Sequence, residues 1–112
     1  MGFLSRRLKM RLANKAAGVR HYEIAQESAR LLETTMNPRT FFGRCDDIAF
    51  AEERVTGKAS AFRTDTARHT KLQIAFMQRL IDSGKQAVLD EAINTYRNRW
   101  TAAALDYYNQ HR

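Results

Sequence analysis

The side chains able to do chemistry in this 112-residue chain are few and scattered. His21, His69 and His111 are far apart and have no partners at ligand spacing. The patterns that place two or more metal ligands on one helix face, Glu-x-x-His and His-Glu-x-x-His, are missing, as is Cys-x-x-Cys. Asp65 and His69 stand four apart, which on a helix would let them share an ion or pair as charges. A pair without a third ligand reads better as a helix-end or surface contact. The carboxylate pairs Asp46-Asp47, Glu52-Glu53 and Asp90-Glu91 are adjacent in sequence. On a helix such neighbours point about 100° apart and cannot share a proton. Glu23 and Glu27 do share a face, but Arg20 and Arg30 flank them, which fits a salt-bridged surface better than a raised carboxyl pKa.

The one cysteine, Cys45, sits among Phe41, Ile48 and Ala49, the setting of an inert core thiol. No histidine is near it in sequence, so whether His21 or His69 approaches it depends on the fold. Nucleophile-elbow, Walker and dinucleotide-binding glycine motifs are not present. The expectation is a non-catalytic protein with no cofactor and no metal.

Charge carries more information. The net charge is +7. Residues 1–22 hold Arg6, Arg7, Lys9, Arg11, Lys15 and Arg20 with no acidic side chain, whereas residues 23–112 hold 13 basic and 12 acidic ones. A basic arm, 1–18, therefore precedes a nearly neutral body, 19–112. Six uncompensated positive groups would bind polyanions by counterion release. With Phe3, Leu4, Leu8 and Leu12 at helical spacing, the same segment would also suit an anionic membrane surface. The bland alternative is a first helix whose leucines pack on the body. Further along, the third helix sets Arg63, Arg68, Lys71 and Arg79 against Asp65, which adds to a nucleic-acid reading, and Tyr107 and Tyr108 could stack on bases.

The elements that must position these groups are helices. Five glycines and one proline leave room for long helices and argue against a sandwich or barrel. Tyr22, Ala25, Ala29, Leu32 and Met36 recur on one face of a helix over 19–35. Asn37 and Pro38 form a cap and a first helical position. They start a helix that carries Phe41, Cys45, Ile48, Glu52 and Val55 on a stripe, with Phe42 and Ala49 beside it, and that ends near Thr56-Gly57. A helix over 64–83 is apolar around more than half its circumference and should be covered from two sides, with Gly84 as its left-handed stop. A last helix over 86–109 would bury Leu89, Ala92, Ile93, Tyr96, Trp100, Ala103 and Tyr107. The expected fold is all-α, a small up-down bundle of three long helices plus a short basic amphipathic N-terminal helix. The stripes on 19–35 and 86–109 would also support a homodimer.

No apolar run is long enough to span a bilayer, the N-terminus lacks a secretory h-region, and one cysteine cannot form an intramolecular disulfide, so the expected location is the cytoplasm.

Residues 33–46, Glu33-Thr34-Thr35-Met36-Asn37-Pro38-Arg39-Thr40-Phe41-Phe42-Gly43-Arg44-Cys45-Asp46, resemble a motif of small bacterial proteins common in Gram-positive genomes and their mobile elements. The motif has the form Glu-Thr-x-Asn-Pro-x-Thr-Phe-Phe-x-Arg-x-Asp, and residues 88–105 are similar less specifically. The resemblance implies no assigned activity, and Cys45 replaces a more usual aromatic residue. The motif residues read structurally as cap, helix start, core anchor and an Arg44–Asp47 pair. A functional reading makes Phe42 and Arg44 a surface for a protein partner. The sequence therefore points to an interaction protein, with nucleic-acid binding through the arm as the alternative and membrane attachment after it.

Overall fold

A helical hairpin opens the structure. Residues 16–112 are described here by a computed structural model, with side chains from residue 23 onward. Helix α1 (Ala16–Thr34) and helix α2 (Pro38–Thr56) are joined by three residues and pack along each other. The turn is made locally. Asn37 adopts an extended conformation and its side chain accepts the Thr40 backbone N–H at 3.0 Å, while Pro38 supplies the first helical residue. Gly57, at φ +69°, ends α2 in the left-handed region that glycine enters without steric cost.

The chain then makes a single turn, α3 (Ala61–Thr64), capped by Ser60, and enters α4 (Thr66–Asp82), whose N-cap is Asp65. The Asp65 carboxylate accepts the Arg68 N–H at 3.0 Å, so this residue serves as a helix cap rather than as a metal-ligand partner of His69. Helix α4 ends at a glycine turn, with Gly84 at φ +71° and the Lys85 N–H reaching the Leu80 carbonyl at 2.8 Å. Helices α5 (Gln86–Thr95) and α6 (Ala102–His111) complete the chain. Helix α4 packs against α1, α3, α5 and α6, in line with its broad apolar surface.

The core is aromatic. Phe41 and Phe76 stack at 4.6 Å, Phe42 meets Trp100 edge-on at 4.9 Å, and Phe42 also meets Tyr96 at 4.8 Å. This run of rings binds α2, α4 and the end of α5 into one cluster with Leu32, Ile48, Met77, Leu80 and Leu89, all fully buried. Each such side chain contributes roughly 1.5–3 kcal/mol by leaving water.

Two expectations change. The last helix is interrupted, and residues 96–101 form a corner between α5 and α6. The interruption shifts the buried face by one residue: Ala104 and Tyr108 are buried in place of Ala103, which is exposed, and Tyr107, which is half-buried. The all-α class holds, and the described residues form six helices, of which α1, α2 and α4 are the long ones. Helix α1 begins at Ala16 and passes through Gly18, so the expected boundary between arm and body falls inside a helix.

Candidate functional site

Four elements meet at a cleft of about 400 Å³. Helix α2 contributes Phe42, Cys45, Asp46 and Ala49, α3 contributes Phe62 and Arg63, α4 contributes His69 and Gln73, and the corner contributes Asn98 and Arg99. The floor is apolar: Phe42 and Phe62 are 3% and 1% exposed.

The rim is built from ion pairs. Arg99 grips Asp46 with both terminal nitrogens, at 2.8 and 3.4 Å, and its guanidinium lies over the Phe42 ring at 5.0 Å. Arg63 donates Nε–H to Glu53 at 2.8 Å, and Glu53 also accepts the Ser60 backbone N–H. Those two contacts hold the Glu53 carboxyl below its ordinary pKa, the Arg63 bond foremost. Ser60 in turn donates its hydroxyl to Glu52. The adjacent carboxylates diverge as helix geometry demands, with Asp46 on Arg99 and Asp47 on Arg44 at 3.2 Å.

The corner that presents Asn98 and Arg99 is clamped from α4. Gln73, 5% exposed, donates to the Arg99 carbonyl at 3.0 Å and accepts the Thr101 N–H at 2.9 Å. The Thr70 and Thr101 hydroxyls meet at 2.6 Å, and Trp100 sends its indole N–H to the Ala92 carbonyl at 3.2 Å. One side-chain amide thus satisfies two backbone groups that the broken helix leaves open.

Cys45 and His69 line the same cleft. Burial pushes the Cys45 thiol up to about 12, so it stays protonated at neutral pH. His69 packs edge-on against Phe62 at 5.1 Å. Burial is the main cause lowering its pKa, and Arg99 and Arg68 add to the effect while Asp65 opposes it. The imidazole is therefore neutral at pH 7.

The residues singled out in the sequence fall elsewhere or into other roles. Arg6, Arg7, Lys9, Arg11 and Lys15 lie outside the described residues; Arg20 is on α1, within the stretch whose side chains are not described. Phe42 is buried in the cleft floor and so is not the exposed partner contact that the motif suggested; Arg44 is partly exposed and paired with Asp47. The basic side expected on the third helix is broken up. Arg79 turns inward over the Phe76 ring and donates to the Leu32 and Thr35 carbonyls at 2.7 and 3.1 Å, closing the C-terminus of α1. Arg63 stands on α3, and Arg68 lies over the Phe62 ring at 5.2 Å. Tyr108 is buried with its hydroxyl on Asp90 at 2.6 Å, and Tyr107 stacks on His111 at 3.9 Å. Leu32, Leu89 and Ala92, on the stripes of 19–35 and 86–109, lie in the chain's own core.

Among the described residues there is no cluster of three metal-ligating side chains, and no helix is long and apolar enough to cross a membrane. The residues that sequence reasoning missed are Asp46, Arg63, His69, Gln73, Asn98 and Arg99 as a group. The available signal was Arg97-Asn98-Arg99 set between Tyr96 and Trp100, a polar step inside an aromatic helix face. Comparison of the chain with protein families, with curated proteins and with solved structures gives no match.

Proposed function

We propose that this chain is a non-catalytic helical interaction protein of a bacterial cell or mobile element, acting in the cytoplasm, and that the cleft between α2, α3, α4 and the 96–101 corner receives its partner. The observation that carries this reading is the rim. Arg99–Asp46 and Arg63–Glu53 are exposed ion pairs, worth about 0–1 kcal/mol each, so a partner can exchange them at little cost. Phe42 and Phe62 beneath them are buried, so the surface that a partner meets is set by the charged and amide side chains of the rim. The Cys45 thiol, held protonated by burial, suits binding better than covalent chemistry.

The test is a photo-crosslinking residue placed at Asn98 in the full chain, with the same residue at Glu23 as control. A discrete adduct from Asn98 alone, lost in Arg99→Ala, is expected. Equal adducts from both positions would overturn the assignment of the cleft.

The segregation of charge into residues 6–20 favours a second reading, a nucleic-acid-binding accessory protein that uses the arm. Replacing Arg6, Arg7, Lys9 and Arg11 with Gln in the full chain tests it by DNA and RNA anisotropy at two salt concentrations. Substitution is preferable to truncation at Val19, which would remove the first residues of α1. Binding to anionic vesicles that depends on Phe3, Leu4 and Leu8 would instead favour membrane attachment.

A further inference from the structure

A second groove, which shares no lining residue with the cleft, lies between the start of α2 and α5. Its volume is about 230 Å³. That is below the roughly 300–1,000 Å³ of small-molecule sites, so side chains of another surface suit it better than a free ligand. Pro38, Val88 and the half-buried Tyr96 give it apolar surface. Helix α5 turns Leu89 and Ala92 into the core, and Val88, Glu91 and Thr95, at steps of three and four, form the margin left outside. Among the described residues four large apolar side chains are exposed, and two of them belong to this region. Val88 is 37% exposed, and Met36, just before the Asn37 cap, is 40% exposed. Arg39 of α2 and Glu91 of α5 line the same groove, both exposed. Among the described residues neither side chain takes a hydrogen bond or an ion pair, whereas Arg44, Arg63 and Arg99 each hold a carboxylate.

We propose that this groove is the interface of a homodimer, with a second copy of the chain as its occupant. The argument is charge complementarity. A groove with a positive group on one side and a negative group on the other is complementary to itself under a two-fold rotation. Arg39 then meets the second copy's Glu91, and Glu91 meets the second copy's Arg39. An acidic partner would suit Arg39 and be repelled by Glu91, and a basic partner the reverse. The two-fold axis passes between Arg39 and Glu91, so Pro38 and Val88 of both copies meet near it. The two ion pairs flank them, an apolar centre with a charged rim. The contact surface is small, so the dimer dissociates on dilution. Because no residue lines both groove and cleft, pairing here is independent of what the cleft receives.

The experiment is sedimentation equilibrium of the full chain at physiological salt, from about 1 μM to about 1 mM, the range of weak association. A reversible monomer–dimer equilibrium is expected. Arg39→Glu sets like charges against each other at both contacts, and Glu91→Arg does the same with the opposite sign. Each should weaken the dimer roughly tenfold or more, with helical circular dichroism unchanged because both positions are exposed. Equal amounts of the two variants mixed together should associate as the original chain does, because opposite charges then meet at both contacts. The double variant should recover self-association for the same reason. A monomer at every concentration overturns the proposal. So does a dimer that survives both reversals, a mixture no tighter than its components, or a ladder of larger species, since a two-fold contact closes at two. Association lost in Arg99→Gln but kept in both reversals also overturns it and places self-association at the cleft. Should a reversal disturb the helices, Arg39→Gln and Glu91→Gln take its place. Each should weaken the dimer, and full strength in both overturns the proposal.

Discussion

Two corners of this molecule reverse or redirect the chain with different shares of local and distant bonding, the first taking one distant bond, from Arg79 to the Thr35 carbonyl. The first, residues 35–37, is started by its neighbours in sequence: Thr35 accepts the Asn37 N–H at 3.1 Å, Asn37 accepts that of Thr40 at 3.0 Å, and Pro38 follows. The second, residues 96–101, contains neither glycine nor proline. Thr101 does cap α6, accepting the Ala104 N–H at 3.2 Å, but the rest of the corner is held from a distance. Gln73 clamps its backbone from α4, Asp46 holds Arg99 from α2, and the Trp100 ring is sunk against Phe42. A corner built from caps costs little to specify. A corner built from distant partners exists only once the core has assembled, and it can therefore carry a cleft whose walls come from four elements.

The comparison can be broken hardest at Trp100. Trp100→Ala removes a side chain only 6% exposed together with its bond to Ala92, and should cost roughly 3–5 kcal/mol in urea denaturation. Amide exchange should rise at residues 96–104 before it rises at 35–40. Gln73→Ala comes next. It leaves the Arg99 carbonyl and the Thr101 N–H without their partner, at about 1–3 kcal/mol for each group that water does not reach. A loss under about 0.5 kcal/mol would mean that the corner stands on Trp100 and Thr101 alone.

Asn37→Ala should cost less, about 1 kcal/mol, because the change removes one cap and Pro38 still starts the helix. Asn37→Asp or Ser should restore most of it. If Asn37→Ala proved as damaging as Gln73→Ala, the contrast between local and distant specification would fail.

The smallest effect is on pH. Burial lowers the His69 pKa, so the unfolded chain takes up a proton more readily than the folded one. Stability that this residue contributes is present above its ordinary value of 6.5 and is lost as the pH falls below it toward the folded value. The difference in urea midpoint between pH 7.5 and pH 5.5 should therefore shrink in His69→Gln, and the acid-induced opening should be seen at the second corner, where Arg99 faces the ring.

Much of α1, α2 and α4 was legible because the relevant contacts are helical. Asn37-Pro38, Gly57 and Gly84 each act within four residues of their own position, through caps and left-handed turns. The Arg44–Asp47 pair is of the same kind. The last helix was misread because its apolar spacing continues plausibly past Tyr96, and only the packing of Trp100 shifts the buried face from Ala103 and Tyr107 to Ala104 and Tyr108. Thr101 before three alanines was a capping signal that the periodicity overrode. The cleft left no such trace. Asp46 and Arg99 are 53 residues apart, and Gln73 meets the backbone 26 and 28 residues away.

The amino-acid sequence alone determined the helical class, the placement of the caps, the aromatic anchors of α2 and the gathering of positive charge into residues 6–20. These follow from hydrogen bonds closed within a turn and from charges simply counted along the chain. Only assembly of the core decided that Phe42 lies beneath a cleft, that Arg79 closes α1, that the Cys45 thiol stays protonated and that the final helix breaks at 96–101. Each of these depends on burial and on partners far apart in sequence that packing of the helices brings together, and neither is encoded at any single position.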